Sequence, residues 1–143
     1  MMAVTNFEGS IWSSVAIALR HVDALYKHET RSLGLTVIEW YMLRRLYERD
    51  GLTASQLARA VGRSPASFTP TIDTIERKGL IQRRAHSSNR LSVRIYLTAQ
   101  GKALEEQVST SVSRIECKIR QRLSDKEWQI FERVIENFQV LKL

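Results

Sequence analysis

The chain has 143 residues, 43% of them hydrophobic, and one cysteine, which suits a single domain and excludes a disulfide framework or a cysteine-rich zinc module. Its longest apolar run, residues 15–19, is too short for a transmembrane helix or a secretory signal, so we expect one cytoplasmic domain over residues 1–143, without membrane partner or cofactor. The net charge of +7 comes mainly from residues 35–98, with eleven basic and five acidic side chains, and this local excess favours a polyanionic partner.

Apolar periodicity and capping signals predict six helices. In chain order they cover residues 8–31, 36–49, 53–61 and 64–78, and then begin at Thr98 and Ser124. Pro70, six residues into the fourth helix, is expected to bend it, because proline removes a backbone hydrogen bond. Glycines at positions 34, 51, 62, 79 and 101 are expected where helices end or the chain turns.

A period of two replaces the helical period after Gly79. Residues 91–97 alternate apolar and polar side chains, which predicts a half-buried strand with Leu91, Val93, Ile95 and Leu97 inward. Residues 81–84 are its expected partner, joined through a polar tip at residues 85–90. The predicted fold is therefore mainly α with a small β-hairpin (α+β), in which two short helices and a basic hairpin form a winged helix-turn-helix.

This arrangement suits double-stranded DNA, because a helix fits the major groove and its N-terminal residues reach base edges. Arginines on a hairpin suit phosphates or a narrow minor groove. Taken singly, a hydroxyl-rich helix start is also typical of an ordinary cap, and hairpin arginines are typical of a solvated face. Their order and the local charge favour DNA, and the predicted DNA-binding residues are Arg63, Ser64, Ser67, Thr69, Thr71, Arg84, His86, Asn89 and Arg90, with Arg83 and Arg94 as further hairpin cations.

Four motifs resemble those of the multiple-antibiotic-resistance regulator (MarR) family of winged-helix transcription factors. They are Leu35-Thr36-x-x-Glu39, Leu52-Thr53-x-Ser55-x-Leu57-Ala58, Ile75-Glu76-x-Lys78-Gly79-Leu80-Ile81-x-Arg83 and Leu97-Thr98-x-x-Gly101. The resemblance implies a homodimer built from terminal helices in residues 8–34 and 99–143, around a DNA-binding lobe at residues 35–98. It also implies a repressor or activator whose hold on a pseudo-palindromic operator changes when a small molecule binds or a thiol is oxidised.

The resemblance further implies an effector pocket between the dimerising helices and the winged lobe. Trp12, His21, Trp40, Tyr41 and Arg44 are the candidate lining, with aromatic walls and a cation suited to an aromatic carboxylate, although each aromatic is also typical of plain core. Trp12-Ser13-Ser14 stands where the peroxide-sensing members carry a reactive cysteine, so peroxide sensing is not expected.

Cys117 and the histidines allow a functional and an ordinary interpretation. Cys117 is either a redox switch or, as we favour, an ordinary helix residue, since nothing in the sequence marks an activated thiolate. His21 and His28 lack the further ligands that a metal site needs, and no metal is expected.

The wing and the overall function leave alternatives open. Many family members carry Asp-x-Arg in the wing, but here Asn89 and Leu91 occupy those positions and Arg90 is one residue off. Either the hairpin is one residue longer or its internal ion pair is absent. The alternative function is a winged-helix protein-interaction module that no longer reads DNA. An enzyme is not expected, because phosphate loops, metalloprotease motifs and nucleophile elbows are absent from the sequence.

Overall fold

A computed structural model describes residues 10–86 and 89–142, without the side chains of residues 86 and 89–91. The mainly α fold with a β-hairpin that the sequence predicts is confirmed. The elements are α1 (Ile11–Arg31), α2 (Val37–Glu48), α3 (Ala54–Ala60), α4 (Pro65–Arg77), β1 (Ile81–His86), β2 (Asn89–Leu97), α5 (Ala99–Ala103), α6 (Glu105–Arg120) and α7 (Asp125–Gln139). None of the helices described is both long enough and apolar enough to cross a bilayer.

Most helices begin where the sequence places a cap. Both reciprocal hydrogen bonds of a capping box form at the starts of α2, α3 and α7. At α2 the Glu39 carboxylate accepts from the Thr36 backbone N–H at 2.8 Å, and the Glu39 N–H donates to the Thr36 hydroxyl at 3.2 Å. Because caps satisfy donors that the first helical turn leaves unpaired, they fix helix starts locally.

The sequence predicts one long helix from Thr98. This prediction is wrong in one respect, because the structure has two helices, α5 and α6, that meet at Leu104. Gly101 is also not at a turn: it lies in α5, buried, and its φ is not positive, unlike the φ of the other four predicted turn glycines. A Cβ on Gly101 would lie 2.0 Å from the carbonyl oxygen of Leu80. The glycine is needed for close packing of α5 on the chain just before β1.

The hairpin is antiparallel and pairs Ile81 with Leu97 through to Ala85 with Val93, followed by a register shift. Its strands extend into residues predicted as the polar tip. Val93, predicted to face inward, is 47% exposed, whereas Ile95 and Leu97 are buried. The difference arises because only the base of the hairpin lies on the core, where Leu52 pairs with Ile95 as an isolated bridge.

The buried apolar side chains lie almost entirely between Leu35 and Leu97, with Val108 and Ile115 of α6 added to them. Along α4 the inward side chains are Phe68, Ile72 and Ile75, as predicted. The core therefore holds one face of α4 and leaves the other face exposed. The terminal helices differ, since large apolar side chains of α1 and α7 remain exposed: Ile11, Trp12, Val15, Leu19, Phe131, Ile135 and Phe138.

Candidate nucleic-acid interface

The start of α4 presents small hydroxyl side chains to solvent. The Ser64 hydroxyl accepts from the Ser67 backbone N–H at 3.3 Å, and the two serine hydroxyls are 2.9 Å apart. Thr69 donates to the carbonyl of Pro65 at 3.3 Å. Ser64, Ser67 and Thr69 are exposed, as is Arg63 just before the helix. A hydroxyl that donates within the helix keeps acceptor capacity, so these groups can still accept from a base amine.

The predicted hydroxyls lie on two flanks of the exposed face of α4. Successive residues of a helix turn by about 100°, which puts Ser67 and Thr71 on one flank and Thr69 on the other. Thr71 is partly buried, whereas Ser67 and Thr69 are exposed. Between the flanks, Ala66, Pro70 and Arg77 form the outermost row. The face is narrow and has small side chains near its N-terminal end.

The hairpin arginines have different surroundings. Arg84 is exposed, and its guanidinium carbon lies 5.2 Å from the centroid of the Tyr96 ring. Arg94 instead donates to the carbonyl of Gly51 at 3.1 Å, which engages it within the protein. The side chains of His86, Asn89 and Arg90 lie outside the described part of the structure. The internal ion pair of the wing, which would involve this segment, therefore also lies outside it. Arg84 is the hairpin cation whose described surroundings leave it facing solvent.

Arg83 contacts α4 by three groups. Its guanidinium forms ion pairs with Asp73 and Glu76, and its backbone N–H donates to the Glu76 carboxylate at 3.0 Å. Burial would lower the pKa of the Arg83 guanidinium, but hydrogen bonds and charges from the two carboxylates outweigh it and raise that pKa. The two acids were not among the predicted site residues, although Glu76 and Arg83 belong to one family motif.

The far end of α4 is joined to α2. Lys78, the C-cap of α4, donates to the buried Glu39 carboxylate at 2.7 Å and to the carbonyl of Gly34 at 2.9 Å. Glu39 also caps α2, so one carboxylate serves both helices. The orientation of α4 is therefore fixed by its buried apolar face and by ion pairs near its C-terminal half.

Three of the five predicted effector-binding residues lie together. Trp40 is buried and donates its indole N–H to the Ser111 hydroxyl at 2.8 Å. The Arg44 guanidinium lies 5.1 Å from the centroid of the Trp40 ring, and Tyr41 lies 6.3 Å from it, centroid to centroid. Tyr26 of α1, which the sequence did not single out, packs edge-on against Trp40 at 5.5 Å.

The other two candidates lie elsewhere along α1. Trp12 is 78% exposed near the start of the helix. His21 lines a separate cavity of about 490 Å³, whose walls include Lys118 and Arg122. In this single chain the five side chains do not enclose one cavity, because Trp12 is roughly 20 Å along the helix from Tyr26.

Comparison with known proteins identifies the middle of the chain. Residues 35–93, which contain α2, α3, α4 and most of the hairpin, match the model of the MarR family. This segment of the chain is therefore similar to the MarR family.

Solved structures share the fold of this chain at low sequence identity. A probable transcriptional regulator from Pseudomonas aeruginosa has a TM-score of 0.83 and 23% identity, covering 90% of this chain and 96% of that one. The transcriptional repressor CouR, bound to a 23-mer DNA duplex, has a TM-score of 0.82 and 21% identity, covering 90% and 92%. The transcriptional regulator SlyA has a TM-score of 0.81 and 22% identity, covering 92% of each. The predicted winged helix-turn-helix is confirmed.

Cys117 and two of the histidines, His21 and His28, are exposed. Cys117 lies on α6, and the side-chain amide of Gln121 is 3.2 Å from its sulfur. His21 and His28 are both exposed on α1. In the described part of the chain, no group of three or more histidine, cysteine, aspartate or glutamate side chains could hold a metal ion.

Proposed function

We propose that this chain is a MarR-type transcriptional regulator that binds double-stranded DNA sequence-specifically, as a homodimer, in the cytoplasm. The observation that carries the proposal is the exposed, hydroxyl-bearing face of α4 next to a cationic hairpin, within a segment that has an excess of six positive charges. Hydroxyls suit base edges, and arginines suit phosphates. A similar fold is found in CouR, whose structure contains a DNA duplex.

Each predicted contact residue has a proposed role. Ser67, Thr69 and Thr71 face base edges in the major groove, while Arg63 and the Ser64 cap contact phosphates at the N-terminus of α4. Arg84 contacts phosphates flanking the site. On sequence grounds, the proposed wing contacts also include His86, Asn89 and Arg90.

The terminal helices support the proposed dimer. Large contiguous apolar surfaces mark interaction sites in water-exposed proteins, and α1 and α7 both present them here. A second copy of this chain is the proposed occupant, because a twofold axis would present two α4 helices to DNA. Binding two successive major grooves on one side of the duplex requires them to lie about one duplex turn (~34 Å) apart. The operator is then pseudo-palindromic.

We extend the proposal to a small effector with an aromatic ring and an anionic group. The supporting observation is the Arg44 guanidinium over the Trp40 ring, next to Tyr41. Trp12 and His21 complete the proposed lining. This requires that dimerisation brings α1 of the partner subunit close to the Trp40, Tyr41 and Arg44 cluster. The effector changes operator affinity only to the extent that it binds the free and DNA-bound states differently.

The test compares binding to the duplex upstream of the protein's own gene with binding to a scrambled duplex. We expect tighter binding to the first, weakening linearly with ionic strength on logarithmic axes. Sedimentation measures the dimer, and fluorescence anisotropy with and without aromatic acids measures the effector response. Equal affinity for both duplexes contradicts sequence-specific binding, and an affinity independent of salt supports the protein-interaction alternative.

A further inference from the structure

Arg83 lies at the base of the hairpin, where α4 meets β1. Asp73 and Glu76 are three residues apart and therefore neighbours on α4, so one planar guanidinium pairs with both. Because the Arg83 backbone N–H also donates to Glu76, the main chain of β1 is attached as well as its side chain. Among the described ion pairs, these are the two that join the hairpin to α4.

We propose that Arg83 is a positioning residue that fixes the angle between α4 and the wing, and that it does not bind phosphate. This inference rests on the proposed DNA-binding function. From the sequence alone, Arg83 is one of the hairpin cations that could bind phosphate. Its two terminal nitrogens are instead directed at carboxylates of its own lobe.

The exposure of the three side chains indicates that the network serves geometry more than stability. Relative exposures are 31% for Arg83, 51% for Asp73 and 35% for Glu76, and ion pairs this accessible to solvent stabilise a fold weakly. A two-stranded hairpin has little stability of its own. If the base of the hairpin is already fixed, the wing and α4 can contact DNA together, and no further conformational entropy is lost in ordering the wing on binding.

Arg84 is the matched control, because it is the next residue of the same strand and is exposed. The two positions are compared as Arg83→Met and Arg84→Met, using a duplex that the wild-type protein selects from a randomised library and a scrambled duplex. Arg84→Met should weaken binding to both duplexes and reduce the salt slope by about 0.9, as expected for one lost phosphate contact. Arg83→Met should reduce the ratio of specific to non-specific affinity by about tenfold and leave the salt slope unchanged.

Asp73→Asn separates the two roles by the sign of its effect. If Arg83 binds phosphate, removing Asp73 frees the arginine and strengthens specific binding. If Arg83 positions the wing, Asp73→Asn lowers the specificity ratio although it removes a negative charge near DNA, and Arg83→Met with Asp73→Asn is no worse than Arg83→Met alone. An increased ratio in Asp73→Asn, additive losses in the double variant, or a salt slope reduced by about 0.9 in Arg83→Met would overturn the proposal.

Hydrogen exchange measures the same contact without DNA. Arg83→Met should accelerate exchange of the β1 amides near Glu76, including that of residue 83, while α2 and α3 keep wild-type rates. Unchanged β1 exchange overturns the positioning role even if the wild-type protein binds its selected duplex. Accelerated β1 exchange in a protein that selects no duplex would instead contradict the proposed DNA-binding function.

Discussion

At Gly101 the main chain of α5 approaches the Leu80 carbonyl so closely that a Cβ would lie 2.0 Å from its oxygen. At Gly62 nothing lies within 4 Å of the position of a Cβ, but φ is +66°, a conformation that L side chains adopt with strain. The two glycines are thus required for different physical reasons. Gly101 provides space between two main-chain segments, and Gly62 provides a turn between α3 and α4.

Alanine substitutions should separate these reasons. Gly101→Ala is expected to lower the free energy of unfolding by about 3 kcal/mol or more, because a backbone carbonyl cannot rotate away as a flexible side chain can. Gly62→Ala should lower it by about 1–2 kcal/mol from backbone strain alone. Urea denaturation of both variants gives the comparison. A smaller loss in Gly101→Ala than in Gly62→Ala would contradict the close approach.

Glu29 is buried where α1 meets α6, and its two oxygens accept from Arg114 and Lys118, each at 2.8 Å. Hydrogen bonds from Lys118 and Arg114 lower the pKa of Glu29 below its ordinary value of 4.5, although burial opposes them. Since the folded carboxyl is the stronger acid, its contribution to stability is present above the unfolded pKa. It is lost as the pH falls through the lowered folded pKa.

Glu29→Gln should lower the free energy of unfolding at pH 7 by about 1.5–3 kcal/mol, the usual range for hydrogen bonds to a charged group. The wild-type protein loses stability as the pH falls below 4.5, the ordinary pKa of the Glu29 carboxyl, and Glu29→Gln should remove part of that loss. Denaturation from pH 7 to acid measures both effects, with the exposed Glu106→Gln as control. An acid dependence identical to that of the wild type would show that Glu29 is not the group responsible.

At the scale of elements, α4 continues through Pro70 from Pro65 to Arg77. Pro70 lacks the N–H that would reach the Ala66 carbonyl, and it lies on the exposed face, so no apolar packing accounts for it. Pro65, at the first helical position, lacks an N–H that the helix does not use. The two prolines therefore have different energetic consequences.

Pro70→Ala should raise the free energy of unfolding by about 1–3 kcal/mol, because it restores one hydrogen bond in the helix. Pro65→Ala should change it little. If the local geometry at Pro70 serves DNA reading, Pro70→Ala also lowers the preference for the selected duplex while Pro65→Ala retains it. Thermal unfolding and anisotropy titrations check the two effects. Equal stability of both variants would contradict the missing bond.

Elements set by local chemistry were predictable from the sequence, and those set by tertiary contact were not. Helix starts at Thr36, Thr53 and Ser124 follow from capping residues within one turn. The exposure of Val93 depends on how far the core extends under the hairpin, which no local pattern encodes. For the candidate site, the position of the hydroxyls at the start of α4 was predictable, although their contact with DNA stays a prediction. The number of basic side chains could not distinguish Arg84 from Arg83 and Arg94, whose partners come from other elements.

At the scale of the whole molecule, apolar side chains of α7 are left without cover. Phe131, Ile135 and Phe138 are 42%, 38% and 47% exposed, and they share one face of the helix. Gln129, also exposed, lies on the opposite face. The proposed dimer would bury the first face and leave Gln129 in solvent.

Phe138→Asp should therefore weaken dimerisation by about 30-fold or more, as loss of a central interface aromatic does. It should also weaken binding to a two-half-site duplex more than binding to a single half-site. Gln129→Asp introduces the same charge on the other face and should have neither effect. Sedimentation velocity over a concentration series measures the equilibrium. Equal dissociation constants for the two variants would exclude this face from the dimer.

The position of the core between Leu35 and Leu97 has a consequence for the lifetime of the protein. Segments with few buried contacts open readily and are the first to be cut by proteases. A solitary subunit would thus be trimmed at its ends, whereas a paired one would be protected. If the proposed dimer forms, turnover would be faster at low protein concentration, where solitary subunits are more abundant, and fewer of them would remain to occupy half of the proposed operator.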